Sequence, residues 1–282
     1  MKQTAFAIDG PAYVSFSGGR TSGYMLRKTL DAHGGTLPSD VHVLFANTGD
    51  ELPATLDFVR DCSERWNVPI TWLEYYLTPD DVPSYEIVSH VTASRDGEPF
   101  DRYLHHVERI TAAKGNKPYL PGPGNRFCTT ELKIRVMKKW MLDFGYEHWT
   151  NIVGIRADEP KRWRKLNRTP PERWEVALPC VDAGTTLEDV RSFWSAEPFD
   201  LGIAGDWEGN CDACHLKMPW KVARVFRDHP ERAERWRRRE QRAGKMFRPR
   251  GPSIEQLVQL SRAGQIEPES DTFEIQCAGC TD

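Results

Sequence analysis

Residues 17–22 form the part of the sequence whose residue types and spacing point most directly to chemistry. The run Ser17-Gly-Gly-Arg-Thr-Ser22 follows the apolar segment 12–16 and precedes a segment with helical spacing. Small residues between a strand and a helix let backbone N–H groups approach an anion, and the positive end of the helix favours negative charge. The run has neither the Lys of a Gly-x-x-x-x-Gly-Lys-Ser/Thr loop nor the spacing of Gly-x-Gly-x-x-Gly. It predicts a phosphate-binding turn of another type, and the alternative is an ordinary glycine-rich turn.

The seven cysteines are the second group with a chemical spacing. Two Cys-x-x-Cys pairs stand at 211–214 and 277–280, and Cys128 stands alone between them and the N-terminal loop. Two thiolates at this spacing can chelate one metal ion, and two such pairs can complete a four-sulfur zinc or iron–sulfur site. Cys62 and Cys180 are predicted to be buried small apolar residues.

Alternating short apolar runs and helical patterns must position these groups. Strands are predicted at 12–17, 41–46, 69–74 and 149–154, and helices at 24–30, 56–66, 131–144, 185–195, 219–228, 230–242 and 253–262. Thr185 with Glu188 and Ser253 with Gln256 have the spacing of helix capping boxes. Strand, helix and strand in succession predict an α/β fold, a parallel sheet with helices on both faces. Residues 77–126 and 160–173 lack a pattern and are predicted to be a loop or lid and a flexible excursion.

The charge is distributed unevenly along the chain. Segment 217–250 carries 13 Lys and Arg against 4 Asp and Glu, although the whole chain has a net charge of −3. This segment belongs to a predicted helical, Cys-containing region at 206–282, which follows an α/β domain at 1–205. It indicates either a nucleic-acid partner, tRNA or DNA, or a solvated basic face. With a nucleic-acid partner, the predicted phosphate contacts are Arg235, Arg237, Arg238 and Arg239.

Charge also suggests roles for four residues near the loop. Arg156 could bind a phosphate or sulfate through its planar fork, and Lys133 could add a point charge. Asp50 and Glu159 could hold Mg²⁺ against phosphates, because hard cations take oxygen ligands. The alternative for each is an ion pair.

Four segments together resemble a known family. Residues 17–22 resemble the Ser-Gly-Gly-x-(Asp/Thr)-Ser loop of PP-loop ATP pyrophosphatases, and residues 45–55 resemble the family's second-strand signature. The segments 127–133 and 154–159 resemble the Cys-x-x-x-x-Lys and Gly-x-Arg-x-x-Glu elements of PAPS (phosphoadenosine phosphosulfate) reductases. The segments occur in family order, and the resemblance covers roughly residues 12–205.

The resemblance implies an adenine-nucleotide alpha hydrolase-like fold that binds ATP or a PAPS-like nucleotide. It implies an enzyme that moves sulfur, adenylates an acceptor with release of pyrophosphate, or reduces a sulfonucleotide. Lys133, Arg156 and Cys277 are the predicted catalytic residues. The predicted nucleotide-binding residues are Ser17, Gly18, Gly19, Arg20, Thr21, Ser22, Asn47, Thr48, Gly49, Gly154 and Arg156.

Related PP-loop proteins also place a [4Fe–4S] cluster beside the nucleotide. By that resemblance its ligands here are Cys128, Cys211, Cys214 and Cys280, which leaves Cys277 free for sulfur or redox chemistry. A structural zinc site would use both Cys-x-x-Cys pairs and ignore Cys128. The structural zinc site belongs to the alternative function, that of a non-catalytic nucleic-acid-binding module.

Composition limits the cellular setting. No apolar run is long enough to span a bilayer, and the first ten residues lack the apolar core of a signal peptide. A cytoplasmic location without membrane contact is therefore expected. A sulfur donor or reductant protein is the further expected partner.

Overall fold

A six-stranded sheet organises the computed structural model, which describes residues 4–116, 119–122, 125–166, 172–205, 207–209, 211–248 and 251–264. The strand order is β4-β3-β2-β1-β5-β6, and neighbouring strands are parallel except for the antiparallel pair β3 and β4. The predicted α/β class with a parallel sheet is confirmed. The strands are β1 (Ala12–Ser15), β2 (Val41–Asn47), β3 (Thr71–Leu77), β4 (Pro83–Val88), β5 (Trp149–Val153) and β6 (Trp174–Ala177).

Helices connect and flank the strands. A π-helical turn, Thr130–Ile134, joins α4 to α5, and a 3₁₀ turn, Thr4–Phe6, precedes β1. The helices are α1 (Arg20–Ala32), α2 (Pro53–Arg65), α3 (Glu98–Ala112), α4 (Phe127–Thr129), α5 (Arg135–Asp143), α6 (Pro160–Leu166), α7 (Pro179–Asp182), α8 (Leu187–Ala196), α9 (Pro219–Asp228), α10 (Pro230–Ala243) and α11 (Ile254–Arg262).

Helices cover both faces of the sheet. Successive strand residues point to opposite sides, and the apolar residues on each side pack against helices. Tyr13 and Leu44 contribute to an apolar cluster with α3, α5 and α9 to α11. Val14 and Phe45 contribute to a second cluster with α1, α2 and α8. The C-terminal helices thus share a core with one face of the sheet, and the boundary predicted at 205/206 stays a prediction.

The prediction of a structureless loop at 77–126 is wrong. This segment contains the edge strand β4 and the 15-residue helix α3. Gly97 precedes the helix in the left-handed region, at φ 81°, and Pro99 and two acidic residues occupy its first turn. These are helix-start signals, and Phe100, Tyr103, Leu104 and Val107 follow at helical spacing on its buried face.

Two smaller expectations also need correction. Residues 160–166 of the predicted flexible excursion form α6, and β6 follows at 174–177 without having been predicted. The capping box expected from Thr185 and Glu188 lies one residue later, where Thr186 accepts from the Asp189 N–H and the Asp189 carboxylate accepts from Thr186. The second predicted box, Ser253 with Gln256, is confirmed.

The position of the first capping box can be tested. Thr186→Ala and Asp189→Ala should each lower the free energy of unfolding by about 1 kcal/mol, because each leaves N-terminal N–H groups of α8 without an acceptor. Glu188→Ala is the matched control and should change it by less than about 0.5 kcal/mol. Urea unfolding followed by circular dichroism measures the difference. Equal losses at positions 188 and 189 would contradict the assigned register.

Candidate functional site

Residues 17–22 form a tight turn between β1 and α1. Gly18 adopts φ +79°, and a Cβ there would lie 2.6 Å from the Thr55 Cγ2, so both conformation and space require glycine. The Ser22 hydroxyl accepts from the N–H groups of Ser17 at 3.3 Å and Gly19 at 3.2 Å, and donates to the Gly19 carbonyl at 2.8 Å. Gly19 caps α1, so the turn wraps the positive end of the helix.

The segment after β5 lies against this turn. A Cβ on Gly154 would be 3.4 Å from the Ser22 Cα, which shows how closely the two backbones approach. The buried Arg156 side chain donates to the Thr21 hydroxyl at 3.3 Å and to Asp158 at 3.0 Å. The structure therefore brings the predicted loop and the predicted arginine together at one place.

The position of this pair in the sheet is that of a ligand site. From β1 the chain winds outward through β2 and β3 on one side, whereas β5 and β6 lie on the other. The switch point lies between β1 and β5, and open α/β sheets bind ligands at the carboxyl ends of the strands there. The turn at 17–22 follows β1, and Gly154 follows β5.

Two of the predicted nucleotide-binding side chains are engaged elsewhere. The Arg20 guanidinium forms a fork with Asp200, with two hydrogen bonds of 2.7 Å, and also donates to the Leu201 carbonyl. The buried Asn47 amide donates to Glu74 at 2.6 Å and to the Ser94 carbonyl at 2.8 Å. Asn47 thus ties the end of β2 to the segment before α3.

A second polar group lies at the end of β2. Glu51, almost fully buried, accepts from the Thr48 N–H at 2.9 Å and the Thr48 hydroxyl at 2.8 Å through one oxygen. Its other oxygen accepts from the Lys133 ammonium at 3.3 Å and from the Cys211 thiol at 3.8 Å. Lys133 and Cys211, predicted from separate motifs, therefore meet on a carboxylate that the sequence analysis did not single out.

The electrostatic surroundings of Cys211 include two other predicted metal ligands, Cys214 and Cys128. Burial raises the pKa of the Cys211 thiol well above its usual range, and Glu51 and the Cys214 and Cys128 sulfurs reinforce the shift, against Lys133. Cysteine donors of this kind suit zinc or an iron–sulfur cluster. Among the described residues, however, no three His, Cys, Asp or Glu side chains are grouped so as to hold a metal ion. Cys277 and Cys280 lie outside the described residues.

The other two cysteines behave as predicted. Cys62 and Cys180 are fully buried, and desolvation raises the pKa of both thiols, that of Cys180 to about 12. Neutral buried thiols of this kind pack as small apolar side chains.

The carboxylates proposed for Mg²⁺ have protein partners. Both Asp50 oxygens accept from the Arg239 guanidinium, at 2.8 and 3.0 Å, so a metal ion would have to displace an arginine. Glu159 accepts from the Arg156 N–H at 2.9 Å and from Arg162 at 2.6 Å. Glu159 thereby fixes the turn that carries Arg156.

Asp50 is also the centre of a buried ion network. Arg239 donates to Asp101 at 2.6 Å as well as to Asp50, and Arg235 pairs with Asp50 at 3.1 Å. Burial raises the pKa of Asp50 to about 7, although Arg239 opposes the shift. The Asp50 carbonyl accepts from the Asp212 N–H at 3.0 Å, so the network reaches the Cys-x-x-Cys turn.

Asp212, between Cys211 and Cys214, is the second carboxylate of the network. It accepts from Arg232 at 2.9 Å, from Arg235 at 3.0 Å and from the Trp236 indole at 2.7 Å. Burial alone would raise the pKa of Asp212, but Arg232 and Arg235 outweigh that effect and the net pKa is lowered. One face of α10 therefore holds the Cys-x-x-Cys turn against the end of β2.

This corrects one expectation about the basic segment. Arg235 and Arg239 were predicted to contact nucleic-acid phosphates together with Arg237 and Arg238. Instead, Arg239 is buried and Arg235 nearly so, and both are neutralised by carboxylates inside the protein. The number of basic residues in a segment does not reveal such pairing, because the acidic partners come from distant parts of the chain.

A comparison with known proteins identifies a relative of this chain. No protein-family model matches the chain. An uncharacterized nin region protein of Escherichia phage lambda, ORF290, is 34% identical over 218 residues, which cover 76% of this chain and 69% of the phage protein. The chain belongs to the family of this phage protein. That name states no activity, so the chemistry has to be inferred from the residues.

Glu51 and the arginine face of α10 are the site features that sequence reasoning missed. An acidic residue just beyond the carboxyl end of a parallel strand was an available signal for Glu51. No local pattern marks Arg232 or Arg239 as buried. None of the described helices has the length and apolar character needed to cross a membrane.

The buried network generates a stability prediction. Arg239→Met should lower the free energy of unfolding by about 3–5 kcal/mol, because the buried Asp50 carboxylate loses both of its hydrogen bonds to Arg239 and keeps only Arg235 beside it. Arg237→Met is the matched control on the same helix, since Arg237 pairs at the surface with Glu234, and its loss should stay below about 1 kcal/mol.

Urea unfolding measures both variants. Asp50→Asn added to Arg239→Met should recover part of the lost free energy of unfolding, because the buried Asp50 charge is then removed together with its main partner. A loss for Arg239→Met no larger than that of the control would contradict the proposed importance of the network.

Proposed function

We propose that this chain is a PP-loop-type enzyme that binds an adenine nucleotide, ATP or a PAPS-like nucleotide, on residues 17–22. It transfers sulfur through its cysteine group or, with ATP as the nucleotide, transfers AMP to an acceptor with release of pyrophosphate. The observation that carries the proposal is the placement of the glycine turn and Arg156 at the switch point of the sheet. Lys133 and Cys211 meet one strand away, at the end of β2.

The residues around the turn have separable roles in this proposal. The α1 N-terminus and the backbone of the turn would bind phosphate oxygens, and Arg156 would add a planar pair of donors. Glu159 and Asp158 hold Arg156 in place through its backbone and side chain. Mg²⁺ would enter mainly with the nucleotide phosphates, since Asp50 and Glu159 already have cationic partners.

We propose that Cys128, Cys211 and Cys214, together with Cys280 from the predicted tail set, hold the iron–sulfur cluster. The described residues do not group three ligands, so binding of the cluster would have to draw these sulfurs together. The cluster would supply electrons or a binding site for sulfur beside the nucleotide. The inclusion of Cys128 distinguishes this set from the zinc alternative, which omits it. Glu51 holds Lys133 at the edge of this set, so that its ammonium offsets thiolate charge. Cys277 is the proposed nucleophile. A sulfur donor or reductant protein would supply this thiol with sulfur or electrons.

The proposed acceptor is a nucleic acid, tRNA or DNA. Segment 217–250 has 13 basic and 4 acidic residues, although Arg232, Arg235 and Arg239 are neutralised by carboxylates from elsewhere in the chain. Because the inward face of α10 is occupied by the buried network, any phosphate contacts have to come from arginines outside that face.

The nucleotide site is tested by Gly19→Val. Gly19 has φ −101° and ψ 165°, which valine adopts, so the fold should survive while the side chain fills the space for an anion. The affinity for the preferred nucleotide should fall at least about tenfold, or ~1.4 kcal/mol. Arg27→Gln is the matched control on α1 and should leave the affinity unchanged, because Arg27 pairs with Asp31 outside the turn.

Isothermal titration calorimetry with ATP and with PAPS measures these affinities and identifies the nucleotide. A folded Gly19→Val variant that binds both nucleotides as the unmodified protein does would reject the site.

The metal is tested by purification without oxygen, with iron, sulfide and zinc analysis and a visible spectrum. Cys128→Ser and Cys211→Ser should each lose the iron and the colour, because a four-sulfur site has no spare donor. Cys62→Ser is the matched control and should keep both. A colourless protein that carries one zinc ion, unaffected by Cys128→Ser, would support the structural zinc reading instead.

A further inference from the structure

A charged cleft of about 230 Å³ separates α3 from α10. Its volume corresponds to that of about eight water molecules in the liquid, enough for a hydrated phosphate group. Its lining is dominated by guanidinium groups from one side of α10. The charged and polar lining residues are Arg235, Arg238, Arg239 and Arg242 of α10, with Asp101 and His105 of α3 opposite.

The four arginines divide into an inner and an outer pair. Arg235 and Arg239 are the inner pair and are fixed by Asp50, as described above. Arg238 and Arg242 are the outer pair, with 70% and 45% of their side chains exposed. The inner pair thus forms the floor of the cleft, and the outer pair is accessible to a ligand.

Among the described residues, the partners of the outer arginines lie at the surface or at the rim of the cleft. Arg238 lies 3.4 Å from Glu234, and Arg242 donates to Glu108 and contacts the His105 Nε2. Burial, together with the positive charge of Arg242, lowers the pKa of His105, which favours a neutral ring with a nitrogen that accepts from Arg242. Exposed ion pairs contribute little stability, so an anion with several oxygens can replace these carboxylates at small cost.

We propose that this α3–α10 cleft binds the phosphodiester backbone of a nucleic acid through Arg238 and Arg242. The two residues are one helical turn apart, about 6 Å along the axis, a spacing at which each guanidinium can bind an anionic group of its own. A chain of linked phosphates supplies such a series of anionic groups. This inference rests on the nucleic-acid acceptor of the proposed function and assigns its contact surface.

The test is a salt series of nucleic-acid binding, measured by fluorescence anisotropy with labelled tRNA and a labelled DNA oligonucleotide. The Arg238→Gln/Arg242→Gln variant should lower the magnitude of the log–log salt slope by about 1.4–1.8, or about 0.7–0.9 for each lost contact. Arg237→Gln is the matched control, because Arg237 lines the opposite side of α10, and it should keep the slope of the unmodified protein.

The proposal that this cleft binds nucleic acid would be rejected by any of the following results: no binding by the unmodified protein at low salt, an unchanged slope in the double variant, or an equal change in Arg237→Gln. Competition by inorganic phosphate as effective, per phosphate, as competition by unlabelled nucleic acid would assign the cleft to free anions and also reject the proposal. Adenine-nucleotide affinity and iron content measured on the same variants should be unchanged. Loss of those two properties, rather than of nucleic-acid binding, would indicate damage to the nucleotide or metal site.

Discussion

The buried pairing of Asp50 with Arg239 is the interaction on which the candidate site depends. A carboxylate removed from water costs several kcal/mol unless charged donors surround it, and Asp50 has Arg239 on both oxygens and Arg235 beside it. The same residue accepts from the Asp212 N–H through its carbonyl. Neutralising this charge therefore requires α10, and α10 brings the Cys-x-x-Cys turn to the end of β2. Stability and site geometry arise from one set of contacts.

The sheet provides the other half of the arrangement. Parallel strands end at a common edge, so the turn after β1, the polar group after β2 and Arg156 after β5 lie side by side. Arg156 meets Thr21 on one side of β1, and Lys133 meets Glu51 on the other. A nucleotide bound on the turn would therefore lie next to the thiol group, which is the geometry that coupled nucleotide and cysteine chemistry needs.

Local patterns predicted much of this fold. The glycine turn, four of the five parallel strands (β1, β2, β3 and β5) and the C-terminal helices follow from apolar runs, caps and glycine positions, which act over a few residues. Helix α3 was missed although Pro99 and its first-turn acids mark its start, because the irregular segments on either side obscured the pattern. The roles of Glu51, Asp50 and Arg239 could not be predicted locally, since each depends on charges that lie between about 80 and 190 positions away in the chain.

The most direct test of the account is a nucleotide titration of the anaerobically purified protein, followed through the visible absorption of the proposed iron–sulfur site. If the nucleotide turn and the thiol group form one site, binding of ATP or PAPS should change the spectrum, with a midpoint equal to the dissociation constant measured by calorimetry. Gly19→Val should bind metal normally and show no such change. Tight nucleotide binding that leaves the spectrum unaltered would contradict a shared site.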